Sequence, residues 1–103
     1  MTEKQQYSGI KDFYPYYLSE HSNATCRRLH FIGSSLVLIT LAYAILTQQW
    51  VYLWALPVIG YGFAWVGHFF FEHNKPATFD YPWLSLACDW VMYKDILIGK
   101  VSW

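Results

Sequence analysis

Between Leu29 and Phe71 the sequence has no Asp, Glu, Lys or Arg at all. Charged residues make up only 14% of the chain, where an average soluble domain has about 25%. The shortfall is concentrated in that one block. Lys4, Lys11, Arg27, Arg28, Lys75, Lys94 and Lys100 all lie outside it. A soluble core does not need such a block, but a bilayer does, at about 20 apolar residues per spanning helix. Net charge is also missing: the formal sum is zero and no basic stripe is visible, which argues against a nucleic-acid partner. There are only two cysteines, Cys26 and Cys88, far apart and not in a metal-type pair. They suggest neither a disulfide scaffold nor a zinc finger, and read as small buried apolar residues. Met1 to Gly9 has no apolar run, so no cleavable signal peptide is expected. No His-Glu-x-x-His is present, which disfavours a metalloprotease.

What the chain does have is aromatic rings, with six Trp, nine Tyr and seven Phe in 103 residues. At that length it is one small domain, expected as a single membrane domain over 1–103. The charge-free stretch 29–71 is long enough for two spans with a turn at Thr47-Gln48-Gln49. The expected fold is all-α: an integral-membrane helical hairpin flanked by amphipathic, interfacial helices, four to five helices in total. The first span is expected from Phe31 to about Leu46 and the second from about Trp50 to Phe71. Trp50, Tyr52 and Trp54 suit the far interface, and Gly60 and Gly62 allow close helix approach. Every Lys and Arg flanks the hairpin and none lies in its turn, so both termini are expected on the cytoplasmic side. The membrane is a bacterial inner membrane or that of the endoplasmic reticulum.

Residues 1–9 read as a loose tail. Asp12 can cap a helix from about Phe13 to His21 with Pro15 in its first turn. On it Phe13, Tyr17 and His21 share a face. Ser22-Asn23 is a credible break before a new helix near Ala24. Asn74-Lys75-Pro76 breaks the second span. A last helix is expected over 81–98, with Asp80 as cap and Pro82 in its first turn. Asp89 lies there among apolar residues and needs a partner.

The hairpin is framed by a repeated phrase: Glu20-His21-Ser22-Asn23-Ala24-Thr25 before it and Glu72-His73-Asn74-Lys75-Pro76-Ala77-Thr78 after it. It suggests two Glu-His turns facing one another. His21, His30, His68 and His73 then all lie at one membrane face. Four imidazoles converging from three helices could hold one metal, since imidazole suits Fe, Zn, Cu and Ni. Glu20, Asn23, Glu72 and Asp89 are expected close behind the rings, orienting them, or one carboxylate could itself complete a two-histidine, one-carboxylate site. The bland reading is four interfacial histidines bonded to backbone or lipid headgroups. His21 and His30 sit on opposite sides of a continuous helix and can meet only if it breaks between them. His68 and His73, about 140° apart, need a distortion at the helix end.

The segments Phe13 to His21, Asn23 to Gly33, Gly67 to Phe79 and Tyr81 to Leu86 with Asp89 resemble the Mpo1-like family of small membrane proteins. The block Gly67-His68-x4-His73-Asn74-Lys75-Pro76-Ala77-Thr78 is its most specific part. The resemblance implies an Fe(II)-dependent dioxygenase that uses O2 to shorten a 2-hydroxy fatty acid by one carbon, as in fatty acid α-oxidation. It implies His21, His30, His68 and His73 as ligands, so that losing His73 should abolish iron binding and turnover. Arg27 or Arg28 could hold the substrate carboxylate through a fork of hydrogen bonds. A positive-inside anchor explains that pair as well. The partners implied are the 2-hydroxy fatty acid, O2 and membrane lipid, and an oligomer is left open. The competing readings are a haem- or metal-binding membrane protein without oxygenase activity and a structural hairpin.

Overall fold

Asn23 begins the chain's longest helix. Its backbone is extended, and its side-chain oxygen accepts the N–H of Cys26 at 3.1 Å, the usual way a short polar side chain satisfies an open helix end. The computed structural model describes residues 7–103, so most of the tail expected over 1–9 lies outside the described residues. Among the described residues the architecture is all-helical: α1 (Ile10–Ser19), α2 (Ala24–Thr47), α3 (Ala55–Gly67) and α4 (Pro82–Leu97). A 3₁₀ turn, Trp50–Trp54, leads into α3, and a π turn, His68–Glu72, leads out of it.

Two helical stretches, Ala24–Thr47 and Trp50–Glu72, are long and apolar enough to cross a membrane. Gln48 links them in the left-handed conformation (φ 55°) at the expected turn. Their outer faces carry exposed Ile39, Leu46, Val51, Trp54, Val58 and Phe70, an apolar surface that a bilayer would cover. The spans touch closely through glycines, but not the ones expected. A Cβ on Gly33 would lie 2.7 Å from Cβ of Phe63, and one on Gly67 would lie 2.9 Å from Sγ of Cys26. A Cβ on Gly60 would only touch Val37 at 3.6 Å, and one on Gly62 would meet nothing within 4 Å.

α1 starts earlier than the Asp12 cap implied. Gly9 precedes its first residue, Pro15 sits inside the helix, and the Asp12 carboxylate accepts the N–H of Ser8 at 3.2 Å. The shared face is as expected: Phe13, Tyr17 and His21 are all buried. Phe13 and Tyr17 pack with Ala77, Cys88 and Met92 to make a small core between α1 and α4. α4 is tied to α2 by Tyr93, which stacks on Phe31 at 4.6 Å and hydrogen-bonds Ser35 at 2.9 Å. Pro82 is the first residue of α4, where its missing N–H does no harm. Asp80 does not cap α4: Tyr81 occupies the cap position and makes no side-chain capping hydrogen bond to the helix, while Asp80 pairs with Lys75 at 3.0 Å.

The repeated phrase folds into a reciprocal clasp. Glu72 accepts the backbone N–H of Asn23 and, at 3.3 Å, the hydroxyl of Ser22. Glu20 accepts the side-chain N–H of Asn74 at 2.8 Å. The two turns therefore lock together across the mouth of the hairpin, at the end remote from Trp50.

Candidate metal centre

His21, His30 and His68 arrive from three directions. His21 follows α1, His30 is two turns into α2, and His68 opens the π turn. All three are buried. Their candidate ligand atoms lie within 4.8 Å of one another. Nε2 of His21 is 3.1 Å from Nε2 of His30 and 3.0 Å from Nε2 of His68.

The other ring nitrogens decide what these contacts mean. Nδ1 of His21 lies 2.7 Å from the carbonyl oxygen of Tyr17, and Nδ1 of His30 lies 2.9 Å from that of Cys26. A carbonyl oxygen only accepts, so both Nδ1 atoms carry the hydrogen. Nδ1 of His68 is 2.7 Å from Oδ1 of Asn74. Asn74 is oriented by its own amide, which donates to the backbone oxygen of Glu20 at 3.1 Å and to its carboxylate. Its oxygen therefore faces His68, which must donate as well. In a neutral imidazole with hydrogen on Nδ1, Nε2 is a bare acceptor. The lone pair of His21 thus faces those of His30 and His68 across about 3 Å, an arrangement that repels unless a cation sits among them.

A proton on His21 could serve only one of its two neighbours. Burial first, then the neighbouring His30 and His68, holds the pKa of His21 well below its usual range, so it stays neutral at pH 7. Neutral imidazole with its far N–H held by an oxygen is what a metal ion requires. The spacing fits too: ligand nitrogens at right angles on bonds of about 2.1 Å stand roughly 3.0 Å apart. The residues present fit a metal ion, and three donors leave its remaining positions to other molecules.

Not every expected residue is there. His73 is exposed, and its backbone turns left-handed (φ 59°) just past the π turn. The π turn is the distortion expected between His68 and His73, but His73, itself the left-handed residue that ends it, is exposed and does not join the cluster. Asn74, read in the sequence only as part of a break, takes the place beside His68. Among the described residues no carboxylate joins the three nitrogens. Glu20 reaches the cluster through Asn74, while Asn23 and Glu72 brace the turn that follows His21.

The arginines are engaged elsewhere. Arg27 donates to the carbonyls of His21 (2.9 Å), Ser22 (2.8 Å) and Ser102 (3.1 Å). Arg28 donates to the carbonyl of Trp103 at 3.2 Å, with its guanidinium 5.7 Å from the Trp103 ring. Neither borders the cavity beside the histidines, so the structure does not bring them to a bound carboxylate.

That cavity, about 270 Å³, begins at His21, His30 and His68 and runs between the spans. Ser34 and Val37 of α2 line it, and so do Leu56, Gly60 and Ala64 of the second span. These follow helical spacing, so the cavity extends along the hairpin for roughly 16 Å from His68 to Pro57 at 1.5 Å per residue. Its other wall is α4, which contributes Ser85, Leu86, Asp89 and Trp90. Asp89 accepts the hydroxyl of buried Tyr17, whose ring stacks on His21 at 4.0 Å. Burial pushes the Asp89 carboxyl up to about 7, although the Tyr17 hydrogen bond works against this.

A family model described as "2-hydroxy-palmitic acid dioxygenase Mpo1-like" matches residues 7–101, nearly the whole chain. The chain belongs to the Mpo1-like family. No curated protein and no solved structure matches it. In this Mpo1-like chain, then, three buried histidines close enough to hold a metal stand at the head of an apolar cavity that opens between two membrane-length helices.

Proposed function

We propose that this Mpo1-like protein is a membrane-embedded, Fe(II)-dependent dioxygenase that shortens a long-chain 2-hydroxy fatty acid by one carbon. The observation that carries the reading is the set of three bare Nε2 atoms at the head of the cavity, each ring fixed from behind by an oxygen. The family description supplies the substrate class. The atoms balance without an external reductant: R–CHOH–COOH and O2 give R–COOH, CO2 and H2O. The bond between the carboxyl carbon and the hydroxyl-bearing carbon breaks, and O2 takes the four electrons released.

His21, His30 and His68 would hold the ferrous ion, which supplies the redox chemistry that lets O2 react with an organic acid. The protein's own groups do the rest. Tyr17, Cys26 and Asn74 keep each imidazole in the tautomer that offers Nε2. The apolar walls of both spans take the acyl tail along the hairpin and keep water from the reacting carbon. A fatty acid lies in a bilayer with its carboxyl group at headgroup depth, and with both helices spanning the bilayer the histidine end of the hairpin would sit at such a depth. A haem protein is the weaker reading. Axial imidazoles stand on opposite faces of a planar ring, whereas these nitrogens crowd a single point.

The test is metal analysis and turnover of the purified protein in lipid nanodiscs. About one iron per chain, with pentadecanoate formed from 2-hydroxyhexadecanoate as O2 is consumed one for one, supports the reading. Iron-loaded protein that leaves the acid untouched under air rejects the substrate, and the lack of any stoichiometric metal rejects the site.

A further inference from the structure

The cavity is mostly apolar; its polar lining is the histidines, Ser34 of α2, Tyr61 of the second span and a short strip on the α4 side. Ser85 and Asp89 are four residues apart on α4 and so share one face. Both border the cavity, as does Thr78. The hydroxyls of Thr78 and Ser85 lie 3.0 Å apart. One hydrogen serves that bond, which leaves the other free to donate. Asp89 is held from behind by Tyr17, the residue that also stacks on His21 and fixes its Nδ1. A single buried tyrosine thus sets the carboxyl of Asp89 at a fixed position relative to the histidine cluster.

Buried polar groups along a lipid-filled cavity carry a desolvation penalty unless something polar meets them. The tail of a fatty acid cannot do so. Its head can, and the head of a 2-hydroxy acid has one group that an ordinary fatty acid lacks. Arg27 and Arg28 are committed to backbone carbonyls and do not border the cavity. Of the polar lining that remains, the strip of Thr78, Ser85 and Asp89 is the part tied to the histidine cluster, through Tyr17.

We propose that Asp89 accepts the 2-hydroxyl of the substrate and so selects a 2-hydroxy acid over the plain acid, while the Thr78–Ser85 pair donates to the carboxylate. This rests on the proposed function, because it assumes a fatty acid head at the histidine end of the cavity. Asp89 is then a positioning and specificity residue. A site built to hydrogen-bond a substrate hydroxyl discriminates strongly against the analogue without it, since the buried acceptor is otherwise left unpaired. A 3-hydroxy acid has its hydroxyl one carbon too far along and should gain nothing.

The experiment measures binding, not turnover, with the full-length iron-loaded protein in nanodiscs and O2 excluded. Hexadecanoate, 2-hydroxyhexadecanoate and 3-hydroxyhexadecanoate compete against a fluorescent fatty acid. The native protein should prefer the 2-hydroxy acid over both others by about tenfold or more. Asp89→Asn, which keeps shape and an oxygen for Tyr17, should lose most of that preference at unchanged iron content. Asp89→Leu should lose it completely. Ser85→Ala should weaken the 2-hydroxy and plain acids alike, and Leu97→Ala on the exposed side of α4 should change neither. A purely structural role for Asp89 would shift all affinities together and leave the ratio alone. An Asp89→Asn protein with native iron and an unchanged ratio overturns the inference while leaving the proposed function standing. If the native protein binds none of the acids, both fall.

Discussion

The side-chain oxygen of Asn74 stands 2.7 Å from Nδ1 of His68, while its amide donates to Glu20 on the opposite turn. One residue thus orients a ring of the cluster and joins the two halves of the clasp. Removing such a partner of a ligating histidine typically weakens metal binding 10–100-fold. Asn74→Ala should lower iron affinity within about that range, read by competition with a chelator. Asn74→Asp, which keeps the oxygen toward His68 but sets a second carboxylate against Glu20, should retain tighter binding than Asn74→Ala at low pH, where a carboxyl can donate in place of the amide. Equal iron affinity for Asn74→Ala and the native chain would remove Asn74 from the site.

His68 and His73 separate two versions of the site. His68 is buried in the cluster, whereas His73 is exposed and left-handed just beyond it. His68→Ala should abolish stoichiometric iron. His73→Ala should leave it near the native level. His73→Gly should raise stability by roughly 0.5–1 kcal/mol, because glycine takes a positive φ without strain. Loss of iron in His73→Ala at normal folding would restore the four-histidine site that the family resemblance implies.

Much of this centre was legible in the sequence because its key step was local. The half-turn mismatch between His21 and His30 demanded a break, and Asn23 is a residue that makes one. The same reasoning could say that a distortion was needed after His68 but not which way it would throw His73. A π turn and a left-handed residue depend on tertiary contacts, here the clasp between Glu72 and Asn23. Asn74 was missed because its neighbours Lys75 and Pro76 made the stretch read as a break alone. The spacing signal was present, since Asn74 lies six residues after His68 in the most specific block of the chain. Gly33 and Gly67 were missed for a different reason. Close approach depends on which faces of the spans meet, and charge-free helices offer little periodicity to show it.

The arginine pair predicts a stability effect and not a binding one. Arg27 holds the carbonyls of His21 and Ser22, so it fixes the turn that delivers His21. Arg27→Ala should lower the thermal midpoint, by about 1 kcal/mol of stability for partly exposed charge-assisted bonds. Arg28→Ala, with its single carbonyl and the Trp103 ring, should do less. Neither should change the KM for a 2-hydroxy acid more than about twofold. A large KM increase in Arg28→Ala with native iron content would return that residue to the role of a carboxylate clamp.

The topology prediction places Gln48, in the left-handed link between the spans, on the far side of the membrane from every Lys and Arg of the chain. A cysteine introduced at Gln48, in a background where buried Cys26 and Cys88 are replaced by Ala, should react with an impermeant maleimide added outside intact cells. Labelling only after the cytoplasmic side is opened would invert the hairpin. It would also put the histidine cluster on the opposite face.

Gly60 predicts a ruler for the acyl tail. It borders the cavity two turns from His68, opposite Val37, with Ala64 between it and the histidines. A single Cβ there would lie 3.6 Å from Cγ2 of Val37, an ordinary contact. Gly60→Ala should therefore fold normally, and replacing glycine inside a helix should add up to about 1 kcal/mol of stability. Gly60→Leu is different in kind, because the added methyls must occupy the space through which a long chain would pass. A misplaced methylene in an apolar pocket changes specificity by roughly 10–200-fold. The leucine variant should lose about that much kcat/KM on 2-hydroxyhexadecanoate while handling 2-hydroxyoctanoate near the native rate, because a short tail ends before it reaches residue 60. Iron content should not move, since Gly60 lies away from all three ligating rings. If both acids suffer equally at native iron content, the cavity is not where the tail lies. The space between the spans would then be a packing defect, and the acyl chain would have to run along the outer face of α4.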